Sequence, residues 1–147
     1  DRLVLHGTFR CNQGVPTFWR FLSLHLEELK REFKEIVFVG SAEERERALE
    51  VYPDLKSFDD HSSLLETAQM IGSSRLLVGS GSSMVALAGA LKTPSIRVHD
   101  DIAGMPKVIW SNLGRKQWNE TESDLRRLWP EILAEIKQES TTELERV

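Results

Sequence analysis

The residues best placed for chemistry lie between Arg75 and Leu91. Leu76-Leu77-Val78 reads as a buried strand, Gly79-Ser80-Gly81-Ser82-Ser83 as a small flexible turn, and Met84 to Leu91 as an Ala/Leu-rich helix. A strand that turns at once into a helix leaves the helix's first N–H groups without intrahelical partners, and their dipoles favour a bound anion. A phosphate or diphosphate suits that geometry. Gly and Ser also ease plain β-to-α turns and cap helices, so the segment by itself leaves both readings open. It is neither of the sharp phosphate fingerprints. A P-loop needs Lys and then Ser or Thr after its second Gly, and the dinucleotide pattern needs a third Gly, whereas here Gly79 and Gly81 are followed by Met84.

Other chemistry-bearing residues are judged by the same standard. Arg10 follows the first apolar run, where a guanidinium either faces a diphosphate from the side opposite Ser82 and Ser83 or simply lies in solvent. Asp59-Asp60-His61 is an acidic and imidazole cluster, but adjacent acids on an extended chain face opposite ways. Capping of the next helix is therefore expected rather than a paired-carboxylate site. His61, His99, Asp100 and Asp101 lack local ligand spacing, and no metal is expected. Cys11 is the single cysteine, which excludes an internal disulfide and a Cys-based zinc site and is compatible with a reducing cytoplasm. Trp110, Trp118 and Trp129 are expected to pack in or beside the core.

These residues need a frame. Arg2 to His6 forms a short apolar strand ending at Gly7, followed by a polar loop from Thr8 to Pro16. Phe18, Leu22, Leu26, Leu29 and Phe33 recur at helical spacing, predicting an amphipathic helix that covers one sheet face. Ile36 to Val39 is a second strand, turned at Gly40-Ser41, and Ala42 to Tyr52 has the charge density of a solvated helix that Pro53 ends. A third strand is expected near Leu55 to Phe58. Ser63 with Glu66 matches a capping box, opening a helix with Leu64, Leu65, Ala68 and Ile71 inward and Gly72 as its stop. Pro94 to Val98 is a further strand, and Asp100 to Asn119 reads as loop with a short extended piece at Val108-Ile109-Trp110. The last helix is expected over Thr121 to Gln138, kinked or divided at Pro130, with a fraying polar tail over 139–147. This alternation predicts one α/β domain over 1–138, a Rossmann-like parallel sheet with helices on both faces. Ligands of such sheets bind outside the carboxyl ends of the strands, where the loops after each strand converge.

A chain of 147 residues can bury a core without disulfide or metal staples. Its net charge of −4, with both signs spread along the chain, argues against a nucleic-acid surface. Signal-peptide and membrane-span patterns are absent from the sequence. The apolar strand that starts almost at Asp1 is expected of a fragment, or of a trimmed N-terminus.

Taken together, Val37-Phe38-Val39-Gly40-Ser41 with Glu43 and Glu44, Ser63-Leu64-Leu65-Glu66-Thr67-Ala68 with Ile71, and Leu77-Val78-Gly79, Ser82 and Leu87 to Pro94 resemble the C-terminal half of a GT-B glycosyltransferase, most closely family nine, the heptosyltransferase-like group. The resemblance covers roughly Arg2 to Val98. It departs where heptosyltransferases carry Asp-Ser-Gly-Pro-Met-His, since this chain has Gly81-Ser82-Ser83-Met84-Val85-Ala86. Thr8-Phe9-Arg10 and Gly79-Ser80-Gly81-Ser82 are closer to a looser glycosyltransferase-like set with Thr-x-Arg and Gly-Asn-Gln-Ser. The resemblance implies a single GT-B-type half domain, with Thr8, Arg10, Gly40, Ser41, Gly79, Ser80, Gly81, Ser82 and Ser83 around a nucleotide-sugar donor. It implies metal-independent transfer without a cofactor, completed by an N-terminal acceptor-binding half. The missing Asp and His leave a second expectation open, a non-catalytic binding or assembly module that keeps the fold without the donor site.

Overall fold

A central parallel strand must be apolar on both faces, and β1 (Arg2–His6) meets this with Leu3, Val4 and Leu5 all buried. The computed structural model describes residues 1–7, 17–55, 57–58, 63–79, 82–99 and 117–145. Beyond β1 these form α1 (Thr17–Glu32), β2 (Glu35–Phe38), α2 (Ala42–Val51), β3 (Ser57–Phe58), α3 (Leu64–Gly72) and β4 (Leu76–Gly79). They continue as α4 (Ser82–Ala90), β5 (Ser95–His99), β6 (Gln117–Thr121) and α5 (Glu122–Glu145). The six strands form one sheet in the order β3-β2-β1-β4-β5-β6, with every neighbouring pair parallel. This is the Rossmann-like sheet that the alternation predicts.

Period-two alternation along each strand sorts the core into two layers. Leu3, Leu5, Phe38, Leu76, Val78, Ile96, Val98 and Trp118 pack with α1, α5 and Ala48 of α2. Val4, Val39 and Leu77 pack on the other face with Ile71 of α3 and Val85 and Ala88 of α4. Helices therefore cover both faces. The predicted stripe of α1 is buried throughout, and Trp19 and Phe21 widen it. Phe21 meets Trp129 of α5 edge-on at 5.5 Å, and the Trp129 indole N–H donates to Glu28 Oε2 at 2.8 Å. Trp118 and Trp129 are core residues, as expected, while Trp110 lies outside the described residues.

Arg75, just before β4, fastens the amino edge. Its guanidinium binds Asp1 Oδ1 at 2.6 Å, the Glu32 carboxylate and the carbonyls of Glu32 and Ile136, and stacks on Phe33. The end of α4 closes in a Schellman arrangement. Thr93 N–H donates to Ala88 O at 2.9 Å and Lys92 N–H to Gly89 O at 3.2 Å, with Lys92 at φ 61° where glycine is usual. Pro94 follows, a residue that cannot continue a helix.

Three expectations need correction. Leu64 and Leu65 are not inward: they are 69% and 68% exposed, and α3 buries Thr67 and Ile71 instead. Leu64 continues that stripe but falls in the first turn at the carboxyl edge, where the core ends, and Leu65 lies about 100° away around the helix. Gln117 to Asn119 is not loop but part of β6, which has a neighbour on one side only and gives little apolar pattern. The last helix runs on to Glu145 and stays continuous through Pro130. Leu125 and Trp129 before the proline, and Ile132 and Ile136 after it, hold both halves on the core.

Candidate anion site at the carboxyl edge

Because every pair is parallel, the strands end together at one edge, at His6, Phe38, Phe58, Gly79, His99 and Thr121. From β1 the chain fills the sheet outward through β2 and β3, and from β4 it fills the other side through β5 and β6. The crevice of such a sheet lies where the order reverses, between β1 and β4. His6 and Gly79 are register partners there.

Two glycines shape this crevice. A Cβ on Gly7 would stand 2.5 Å from Phe18 Cε1 and 2.6 Å from Trp19 Cζ2, so only glycine lets the first turn of α1 settle on the end of β1. A Cβ on Gly79 would lie 3.2 Å from His6 O and 3.7 Å from His6 Cβ. A side chain at Gly79 would thus press on the backbone of β1.

The predicted residues divide between those the structure places and those outside its described part. Gly79 ends β4, and Ser82 and Ser83 take the first two helical positions of α4, whose backbone N–H groups have no intrahelical acceptor. Gly40 and Ser41 follow β2, the strand on the other side of β1 from β4, and so reach the same edge. Ser41 is the N-cap of α2. Its Oγ accepts from the Glu44 N–H at 3.3 Å and its N–H donates to Glu44 Oε1 at 2.9 Å, a complete capping box. Ser63 makes the first half of the box expected at α3, accepting from the Glu66 N–H at 3.1 Å. Thr8, Arg10, Ser80 and Gly81 lie outside the described residues, as do Cys11, Asp59, Asp60, His61, Asp100 and Asp101.

Two residues at the edge carry a signal that sequence reasoning missed. Nδ1 of His6 is buried without a hydrogen-bond partner. Burial holds this imidazole below the usual histidine range, against the opposing pull of the Glu44 carboxylate. The Trp19 indole N–H, on a side chain 1% exposed, likewise has no partner. A histidine ending a strand directly before glycine was the available clue; nothing in the sequence marked Trp19. Among the described residues no cluster of His, Cys, Asp and Glu could hold a metal ion, and no helix is long and apolar enough to cross a membrane.

The sheet is Rossmann-like, and its strand order reverses between β1 and β4, beside the start of α4, which is the position where α/β sheets of this kind bind their ligands. The chain matches no protein-family model and no curated protein. Among solved structures it is similar to E. coli heptosyltransferase WaaC with ADP, at 18% identity and TM-score 0.62 over 88% of this chain and 43% of that one. It is also similar to the glycosyl transferase family 9 from Veillonella parvula, at 13% identity and TM-score 0.58 over 88% of this chain and 38% of that one. A protein described as a UDP-N-acetylglucosamine 2-epimerase from Listeria monocytogenes matches at 16% identity and TM-score 0.52, over 67% and 27%. The chain thus has the fold of part of a heptosyltransferase and spans less than half of each neighbour's length. That fold serves more than one reaction class, so the site and not the fold must decide the chemistry.

Proposed function

We propose that this chain is the donor-binding half of a metal-independent GT-B glycosyltransferase and holds the diphosphate of a nucleotide sugar at its carboxyl edge. The observation that carries the reading is the coincidence of Gly79 and the start of α4 with the reversal point beside β1. The similar E. coli heptosyltransferase was solved with ADP, a nucleoside diphosphate, which supports the same ligand class here. The N–H groups of Ser82 and Ser83 and the α4 dipole would take the diphosphate from one side, and Arg10 from the other. In the reaction an acceptor hydroxyl oxygen forms a bond to the anomeric carbon while the bond from that carbon to the diphosphate oxygen breaks. The hydroxyl proton goes to a base supplied by the other half, and the diphosphate leaves as an anion stabilised by the helix start and the guanidinium. The reading places the protein in the cytoplasm, where its lone cysteine stays reduced.

A second reading rests on Gly81 to Ala86, which lacks the acid and histidine of heptosyltransferases: a binding or assembly module without donor chemistry. One titration separates the two. Calorimetry against ADP, UDP, GDP and their sugars should show binding that Arg10→Ala and Ser82→Ala weaken. Absence of heat with every nucleotide would leave the module reading.

A further inference from the structure

Helices α1, α2 and α5 carry charged residues along their length, whereas α3 and α4 hold Glu66 as their one charged residue. From Met84 to Leu91 the chain is apolar or glycine at every position. A helix that is apolar all round is normally covered all round. The sheet covers α4 from one side only: Val85 and Ala88 are buried against Val4 and Leu77, while Met84 and Leu87 are partly exposed and Ala90 is exposed.

The two ends of this helix pair match each other. Because α3 leads into β4 and α4 leads out of it, both helices start at the carboxyl edge and end at the amino edge. At the start of α3, Leu64 and Leu65 stand 69% and 68% exposed, followed by the exposed acid Glu66. At the far end Leu91, 36% exposed, lies against Gly72 at the close of α3 and is followed by the exposed base Lys92. Each end thus sets leucine beside a charge, and the two charges are opposite. An isolated exposed leucine is ordinary, as at Leu24 of α1, whose helical neighbours are Arg20 and Glu27. A leucine pair beside an uncharged helix is an apolar patch of the kind that marks a contact.

We infer that the outer face of α3 and α4 is a contact surface for a second copy of this chain, with Leu65-Glu66 of each copy against Leu91-Lys92 of the other. Charge selects that occupant. The chain carries a net charge of −4, so two copies repel over most approaches, but this face offers one charge of each sign. A two-fold contact presents the same patch on both copies. A two-fold axis lying in the face, perpendicular to the line from Glu66 to Lys92, exchanges the two residues, so acid meets base twice at the rim while the leucines fill the centre. Each helix has nine residues and is about 13 Å long, which leaves the contact below the roughly 800 Å² per partner of a stable interface. The dimer is therefore one that dilution separates, and it stands apart from the donor-site reading.

Sedimentation velocity of the unaltered chain, from about 1 mM down to about 1 μM, spans the range in which weak association is visible. A dimer that dissociates on dilution is the expected result. Leu64→Ser combined with Leu65→Ser should be monomeric throughout, and Leu24→Ser should associate as the parent does. Glu66→Lys and Lys92→Glu should each weaken association about tenfold, because each turns two attractive pairs into repulsive ones. The two reversals together should restore the parent's dimer. Circular dichroism at the lowest concentration confirms that each variant keeps the fold. A parent that stays monomeric at about 1 mM overturns the inference and leaves the face to a partner other than this chain. A dimer that survives the leucine substitutions, or charge reversals that fail to compensate each other, overturns it as well. Calorimetry with ADP and UDP reads the donor site separately, so failure of either reading leaves the other standing.

Discussion

Gly7→Ala tests how closely the first turn of α1 packs on the end of β1. The added methyl would meet Phe18 Cε1 and Cδ1 at 2.5 and 2.6 Å and Trp19 Cζ2 at 2.6 Å. Ordinary carbon contacts lie near 3.5 to 4.0 Å, so both rings must retreat by about 1 Å. Neither has room. Each is 1% exposed, they meet edge-on at 4.9 Å, and Trp19 lies against Phe38 at 6.1 Å. Forcing a methyl into such a core costs about 1–3 kcal/mol, and with two rings and the start of α1 displaced the upper part of that range applies. The lower backbone entropy of the unfolded alanine chain returns about 0.4–1 kcal/mol. The net expectation is a loss of about 2 kcal/mol, or roughly 4–8 °C in melting temperature at this chain length. Gly72→Ala is the control, because its Cβ would find only Leu91, no nearer than 3.8 Å, at the end of a helix. It should stabilise by about 0.5–1 kcal/mol. Urea unfolding at constant slope reads both. A Gly7→Ala midpoint at or above that of the parent would refute the packing argument.

Other substitutions reach the remaining parts of the fold. Lys92→Gly should raise stability by about 0.5–1 kcal/mol, since an L-residue in the left-handed region costs about 1–2 kcal/mol and glycine's extra unfolded entropy offsets part of the relief; an equal or lower urea midpoint would contradict this. Leu65→Ser should leave the midpoint within about 0.5 kcal/mol, as an exposed site predicts, and a large loss would restore the inward reading of α3. Arg75→Ala should cost about 2–3 kcal/mol, below the range for fully buried ion pairs because Asp1 is partly exposed; double-mutant cycles with Glu32→Gln measure the coupling. For His6 the folded state resists protonation relative to the usual 6.5, so its contribution is complete above that pH and is lost as the pH falls from there through the folded value. Stability of the parent should therefore drop below pH 6.5 more steeply than that of His6→Gln, and equal slopes would exclude the effect.

Much of the frame is written in local pattern. The spacing of Phe18, Leu22, Leu26, Leu29 and Phe33 predicts α1 because burial on one face requires that period, and the apolar runs ending at His6, Phe38 and Gly79 predict parallel strands because both faces are covered. Where position in the assembled sheet overrides local pattern, the sequence misleads. Leu64 and Leu65 look like core but fall at a helix start beyond the packed layer, and Gln117 to Thr121 looks like loop but joins β5 through its backbone. The cap at Ser63 was legible because a cap is a local hydrogen bond, whereas Ser41, read as a turn residue, also proves to cap a helix.

The site divides along the same line. Gly79, Ser82 and Ser83 announce themselves because one short segment holds both the strand end and the helix start. The register neighbours of Gly79, His6 and Arg97, are not marked in this way, since nothing links residues 91 positions apart until β1, β4 and β5 pair in register. A slip of one residue in either pairing would turn one of them to the opposite face. Register is fixed instead by the apolar neighbours: Leu5, Val78 and Ile96 must share the α1 and α5 layer, and Val4 and Leu77 must share the α3 and α4 layer. The core thus sets the positions of His6, Gly79 and Arg97. Substitutions that keep these strand residues apolar should preserve the edge even where the loops beyond it differ.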